Sequence, residues 1–254
     1  MSSLAATWSD TRVLARRNLM RIPRQPDLLI AYTIQPVMFT LLFVYVFGGA
    51  ITTGTAYINY VVPGIVLLCV GFGAASTATA VAADMTSGMV DRLRSMPITG
   101  SAVLTGHVGA SVARNALATA VVLAAAVAMG FRPDAGVVEW AAVLGLLLLY
   151  VLALSWLAAG LGAAASSVQS AGALSFFMLF LPYLSSAFVP TDTMPSWLQA
   201  VAEHQPITPV IETVRGRLTG GPVDSAGPLA LLWSVGLLVA SSVLAVWLFR
   251  RRTR

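Results

Sequence analysis

The stretch DMTSGMVDRLRSMPITG, residues 84–100, is a polar island between two long apolar runs. It contains two Asp, two Arg and three Met, and Pro97 stands near its end. Charged side chains are costly in the core of a bilayer. If the flanking runs lie in lipid, the island must therefore lie in water at one face of a membrane.

The composition of the chain indicates that the flanking runs do lie in lipid. Of the 254 residues, 57% are hydrophobic and only 10% are charged, whereas about 25% of a soluble domain is charged. A transmembrane helix needs about 20 predominantly apolar residues. Six runs are predicted to span: residues 28–48, 58–83, 115–130, 137–164, 171–189 and 228–249. The predicted fold class is an all-α integral membrane protein, with residues 1–254 as one transmembrane domain.

The fifteen basic residues are all Arg, and their distribution predicts the orientation. Twelve of them precede the first span, lie between the second and third spans, or follow the sixth span. Only Arg132, Arg215 and Arg217 fall on the opposite side. Cytoplasmic loops carry an excess of Arg and Lys, so both termini are predicted to be cytoplasmic in a multi-pass protein of a bacterial cell membrane. Topology and anionic membrane lipid explain the net charge of +5 better than nucleic acid does.

Three segments are predicted not to span. Residues 1–26 are predicted to form a helix in the cytoplasmic interface, because apolar and Arg side chains occupy opposite faces. Residues 84–100 form the island. Residues 190–226 are predicted to lie outside, either as short re-entrant helices or as an ordinary extracellular loop, and the residues alone leave both open.

The island itself has the pattern of a short helix. Four apolar side chains recur at spacings of 4, 4 and 3 and so share one helical face: Met85, Met89, Leu93 and Met96. Met side chains are flexible and fit irregular surfaces. The face therefore either enters a groove on a partner protein or rests on the protein's own helices.

The residue content excludes or disfavours several functions. A P-loop needs a Lys to reach the phosphates of a nucleotide, and the chain has no Lys. His107 and His204 fall on opposite sides of the membrane, and no metal-ligand spacing appears, so no catalytic or metal-binding residue is predicted. The predicted spans hold essentially no charged residue, Arg114 being interpreted as snorkelling to the cytoplasm. This disfavours an ion-coupled secondary transporter.

Three of the spans carry aromatic and hydroxyl stripes that could contact a large planar apolar substrate. Such stripes also serve helix packing, which is the favoured role for any single residue. The candidate path residues are Tyr32, Gln35 and Phe39 in the first span, Phe72 and Ser76 in the second, and Phe176, Phe180 and Tyr183 in the fifth.

Two motifs carry a resemblance to a known family. The first is an acidic residue, a Gly, an acidic-Arg-Leu triplet and a Pro after the second span, here Asp84, Gly88, Asp91-Arg92-Leu93 and Pro97. The second follows the fifth span and reads SSAFVPTDTMPSWLQ (185–199) and QPITPVIETVRGRLTGG (205–221). With six spans and the interfacial helix, the chain resembles permeases of type-2 ABC exporters, and in particular the membrane subunit of daunorubicin-resistance-type drug exporters. It departs from the family pattern at Met85, Thr86 and Ser87, where charged residues are commoner.

The resemblance implies a division of labour between chains. It makes the island a coupling helix that inserts into a separate ABC ATPase subunit, where ATP and Mg would bind, with no cofactor on this chain. It places the first, second and fifth helices around a central path, in a homodimer or a pair with a homologous permease. The cargo would be a hydrophobic or amphipathic small molecule such as a drug or antibiotic, with a lipid, a glycan or a siderophore as alternatives. The implied coupling residues are Asp84, Met85, Gly88, Met89, Asp91, Arg92, Leu93 and Pro97.

Overall fold

The computed structural model describes residues 26–90 and 100–252, with side chains for 34–90 and 102–252. Within these ranges the chain forms helices and connecting turns, with no β-strand. The helices are α1 (Pro26–Leu41, continued by the π-helical turn Leu42–Phe47), α2 (Tyr57–Thr86), α3 (Gly100–Ala128), α4 (Val137–Ala164), α5 (Val168–Phe180, continued by the 3-10 turn Leu181–Leu184), α6 (Ser196–His204), α7 (Ile207–Thr219) and α8 (Ala226–Arg252). The predicted interfacial helix at the N-terminus, residues 1–26, lies outside the described residues except for Pro26.

Four helices, α2, α3, α4 and α8, are long and apolar enough to cross a membrane. Two shorter apolar stretches, Ile34–Phe47 and Val168–Leu184, correspond to the first and fifth predicted spans. The described part of the chain is therefore all-helical, and its apolar helices indicate a multi-pass membrane protein. The fourth span has the predicted bounds, whereas the third begins at Gly100 and includes polar residues that the apolar count left out.

Helix α2 lies at the centre of the bundle. In its most apolar stretch 72% is buried inside the protein, against 22% in α8. Fully buried side chains of α2 such as Val61, Ile65 and Leu68 belong to one core shared with α4 and α7. The low burial of the apolar helix α8 is typical of a surface that faces lipid.

The segment between α5 and α8 folds into short helices rather than an irregular loop. A 3-10 turn, Thr191–Thr193, leads into α6 and then α7. Helix α7 is amphipathic, and its buried face joins the main core; the buried side chains include Ile207, Val210, Ile211, Val214 and Leu218. The segment between α5 and α8 is thus packed on the bundle.

The contact between α2 and α4 depends on a glycine. A Cβ added at Gly162 would lie 2.3 Å from the carbonyl oxygen of Ala78 and 2.9 Å from the Cβ of Val81. The clash is with backbone, which cannot move aside as a side-chain tip can. Helix backbones in membranes approach each other closely where small residues allow it.

We expect Gly162→Leu to lower the free energy of unfolding by about 3 kcal/mol, because the extra volume forces α2 and α4 apart. Gly145→Leu on the same helix is the matched control, since a Cβ there meets nothing within 4 Å. Thermal unfolding of both variants in detergent measures the difference. Equal stability of the two variants would contradict the close contact.

Candidate functional site

The C-terminal end of α2 leads directly into the island. The helix ends at Thr86, and the amide of Ser87 still donates to the carbonyl of Ala83 at 3.0 Å. Gly88 then adopts a φ of +70°, a left-handed conformation that glycine reaches without strain. Helical structure resumes at residue 89. Asp84 and Met85 therefore belong to the last turn of α2, and the island's own helix begins after Gly88 rather than at residue 84.

Asp84 is buried at this end, with only 4% of its surface exposed. Its Oδ2 lies 3.2 Å from Nε2 of His107 on α3, and His107 is buried as well. The contact is a salt bridge when His107 is protonated and a hydrogen bond when it is neutral. In both cases it joins α2 to α3 four residues before the turn at Gly88.

Further buried hydrogen bonds join α3 to α2 and to α4. Arg114 Nη2 donates to Thr77 Oγ1 at 3.0 Å, and Ser155 of α4 donates to Ser111 at 2.8 Å. The interpretation of Arg114 as a snorkelling side chain is wrong, because it is only 6% exposed and is directed at α2. The expectation that the spans contain no charged residue fails for the same reason. A periodic signal existed, since the polar residues of α3 share one helical face: His107, Ser111, Arg114 and Asn115.

The methionines of the island partly pack on the protein itself. Met85 and Met89 are half-buried against a cluster that includes Val81, Val90 and Leu104. At these two positions the apolar face contacts its own bundle and keeps part of its surface free. The other predicted coupling residues, Asp91, Arg92, Leu93 and Pro97, lie outside the described residues.

The aromatic stripes predicted on separate helices converge. Phe39 of α1 stacks on Phe72 of α2, with ring centroids 5.7 Å apart. In α5 and its 3-10 extension, Phe176, Phe180 and Tyr183 follow one another at 5.3 and 6.4 Å.

A residue that the sequence did not single out connects these stripes. Phe188 stacks on Tyr183 at 5.4 Å and on Phe43 of α1 at 4.1 Å. Phe188 falls within the predicted fifth span, but in the structure it lies in the turn after Leu184, so helical periodicity could not place it beside Tyr183 and Phe43. Phe176, Phe180 and Tyr183 remain about half exposed, and the neighbouring Phe177 is 77% exposed.

The remaining predicted path residues are less informative. Gln35 is half-buried, and Ser76 Oγ donates to the carbonyl of Gly73 at 2.8 Å. The side chain of Tyr32 lies outside the described residues. The structure thus brings Phe39 together with Phe72, and the three α5 aromatics with one another.

An arginine anchors the segment between α5 and α8. Arg215 of α7 donates from Nε to the carbonyl of Tyr60 at 3.0 Å and from Nη2 to the carbonyl of Ser186 at 2.6 Å. Its guanidinium carbon lies 3.6 Å above the ring of Tyr60. Burial lowers the pKa of Arg215 and raises that of Glu212, while the attraction between the two charges opposes both shifts. One side chain therefore joins α7, α2 and the loop after α5.

Fold and site together define a multi-pass helical membrane protein in which a polar segment follows a turn at Gly88 and an aromatic surface stays partly exposed. The chain belongs to the ABC-2 type transporter family, whose sequence profile matches residues 9–218. Members of this family are membrane transport subunits of ABC transporters. The family predicted from the two motifs is thereby confirmed.

Two relatives cover nearly the whole chain. The daunorubicin resistance ABC transporter permease protein DrrB1 of Streptomyces coeruleorubidus is 30% identical over 250 residues, which is 98% of this chain and 88% of the relative. The probable doxorubicin resistance ABC transporter permease protein DrrC of Mycobacterium tuberculosis is 26% identical over 240 residues, 92% of this chain and 86% of the relative. The protein is thus an ABC-2 permease homologous to drug-resistance exporters.

Proposed function

We propose that the protein is the permease subunit of an ATP-driven exporter in a bacterial cell membrane. Six helices span the membrane, both termini are cytoplasmic, and α6 and α7 pack in the outer leaflet. ATP and Mg bind to a separate ATPase subunit, which docks on the segment after Gly88. The absence of Lys, and with it of a P-loop, supports this division.

The observation that supports this proposal most directly is the contact that holds the end of α2 just before the turn at Gly88. A docking segment transmits force only if it is attached to something rigid. The Asp84–His107 contact fixes the end of α2 to α3 immediately before the turn at Gly88. A displacement of the docked segment is therefore delivered to two long helices at once.

The cargo in this proposal is a hydrophobic or amphipathic small molecule, such as a drug or antibiotic. The names of the relatives support it, and so does the half-exposed aromatic surface of α5, which offers stacking area to a planar molecule. A second copy of the chain, or a homologous permease, would enclose the path from the other side. A lipid, a glycan or a siderophore remains an alternative cargo.

Transport in liposomes tests the proposal. Purified permease is reconstituted alone and with its ATPase, and uptake of a planar apolar drug into inside-out vesicles is measured. We expect uptake only with both subunits and ATP, and no ATP hydrolysis by the permease alone. The buried Asp84 and His107 are one observation in favour of the alternative, an ion-coupled transporter. Drug uptake driven by a proton gradient without ATP would overturn the proposal.

The turn at Gly88 gives a sharper test of coupling. Gly88→Ala forces an L-residue into left-handed backbone at a cost of about 1 kcal/mol, which shifts the docking-competent conformation about fivefold. Gly88→Asn is the matched control, because Asn tolerates this conformation. We expect the Ala variant to transport several-fold less drug per ATP than the Asn variant.

Neither substitution at Gly88 is expected to misfold the protein. A Cβ at Gly88 meets nothing within 4 Å, so neither substitution creates a clash. Equal transport by the Ala and Asn variants would show that the backbone conformation at Gly88 does not matter for coupling.

A further inference from the structure

A groove of about 690 Å³ lies between the outer ends of α4, α7 and α8. Its volume falls in the range of about 300–1,000 Å³ that is typical of small-ligand sites. The α4 wall includes Val143, Gly145 and Leu146, and the α8 wall includes Gly227, Pro228 and Leu231. These walls are apolar, and the aromatic surface described above does not contribute to them.

The mouth of the groove carries two opposite charges. Arg217 lies on α7, and Asp224 lies in the turn between α7 and α8. Both side chains are exposed, and neither has a hydrogen-bond or ion-pair partner within the described part of the chain. At 100° per residue, Arg217 points to nearly the opposite side of α7 from Arg215. Arg215 therefore anchors one side of α7 to α2, and Arg217 on the other side lines the groove.

Exposed apolar side chains of α8 flank the groove, as expected of a surface that faces lipid. Leu231 and its neighbour Leu232 on α8 are 52% and 71% exposed, and Trp233 follows them. The α4 lining starts at Ala142, five residues after the helix begins at Val137, and continues to Leu146. At 1.5 Å per residue, the apolar walls reach about 8–14 Å along α4 from its outer end. The depth suits the upper part of an acyl chain, and the mouth suits its headgroup.

We propose that this groove binds a zwitterionic glycerophospholipid of the outer leaflet, with its phosphate on Arg217 and its ammonium group on Asp224. An Arg guanidinium binds phosphate oxygens with charge-assisted hydrogen bonds, and a carboxylate accepts hydrogen bonds from an ammonium group. The acyl chain lies along the walls of α4 and α8. The assignment to the outer leaflet rests on the proposed orientation, whereas the binding itself does not.

Blocking the groove tests the site. Gly145→Phe places a ring in the groove without a backbone clash, because a Cβ at Gly145 meets nothing within 4 Å. Gly236→Phe is the matched control, since Gly236 is also exposed with open space around it and lies outside the groove. Binding of phosphatidylethanolamine to the delipidated full chain in neutral detergent is measured by native mass spectrometry. We expect Gly145→Phe to weaken binding at least about tenfold, and Gly236→Phe to leave it unchanged.

Charge variants test how the headgroup is held. Arg217→Gln is expected to weaken binding of phosphatidylethanolamine and of phosphatidylglycerol about tenfold each, because both carry the phosphate. Asp224→Asn is expected to weaken only phosphatidylethanolamine, since phosphatidylglycerol has no ammonium group. Asn tolerates the φ of +33° that Asp224 adopts, so the turn is kept.

Three results would overturn the proposal. These are equal lipid binding by the Gly145→Phe and Gly236→Phe variants, no effect of Arg217→Gln, and displacement of the lipid from the groove by a planar apolar drug at lower concentration. The measurement needs neither ATPase nor transport. Its failure would leave the exporter function intact, and failure of the exporter function would leave the lipid site intact.

Discussion

Arg215→Ala is expected to lower the free energy of unfolding by about 3 kcal/mol. The substitution removes two hydrogen bonds from a charged donor, each worth about 1.5–3 kcal/mol, and a cation–π contact worth about 0.5–2 kcal/mol. The contributions are not independent, so the total is less than their sum. The carbonyls of Tyr60 and Ser186 also lose their guanidinium donor. Thermal unfolding of the delipidated protein in detergent measures the change.

Two controls identify the cause of the loss. Arg217→Ala is a matched substitution on the same helix, at an exposed residue without a described partner, and should change stability by less than about 0.5 kcal/mol. Arg215→Lys keeps the charge but not the planar fork that reaches two carbonyls, so its loss should be intermediate. Equal stability of Arg215→Ala and Arg217→Ala would show that Arg215 does not anchor α7.

The anchor also predicts a local effect. In Arg215→Ala the segment between α5 and α8 should loosen before the bundle unfolds, because α7 loses its connection to α2 and to the loop after α5. A cysteine introduced at Ser225, after α7, should then react faster with a thiol reagent than in the Arg217→Ala background. The single native cysteine, Cys69, is buried and interferes little.

The sequence predicts the helices best where an apolar run is long and uninterrupted. Helix α4 has the predicted bounds because Gly136 precedes it and its run contains no proline. Helix α5 starts earlier than its apolar run, since Ser167 and Ser170 form a capping box that stabilises its first turn. The same helix ends in a 3-10 turn around Pro182, which cannot donate the backbone hydrogen bond of a continuing α-helix.

The sequence predicts side-chain partners poorly. Periodicity places His107 and Arg114 on one face of α3 but does not show that this face is turned to α2. The sequence therefore predicts that Arg114 snorkels to the cytoplasm, whereas a partner on α2 allows it to be buried. The stripe on α5 was found because it is helical, whereas Phe188 was missed because it lies in a loop.

The largest functional effect is expected from the contact between Asp84 and His107. Asp84→Ala should lower the free energy of unfolding by about 3 kcal/mol, because breaking a buried pair leaves one polar partner without its counterpart. His107→Ala should have a similar effect. The double variant should lose less stability than the sum of the two single variants, since residues in direct contact do not contribute independently. Unfolding of the three variants in detergent measures this cycle.

The same variants decide how Asp84 contributes to coupling. The family resemblance predicts that Asp84 belongs to the surface that the ATPase contacts, but its side chain is buried between α2 and α3. We therefore expect it to act by holding the end of α2, so that both single variants reduce drug transport while the folded permease keeps its affinity for the ATPase. If Asp84→Ala weakens ATPase binding and His107→Ala does not, Asp84 contacts the ATPase directly, and the rigid attachment of the docking segment loses its basis.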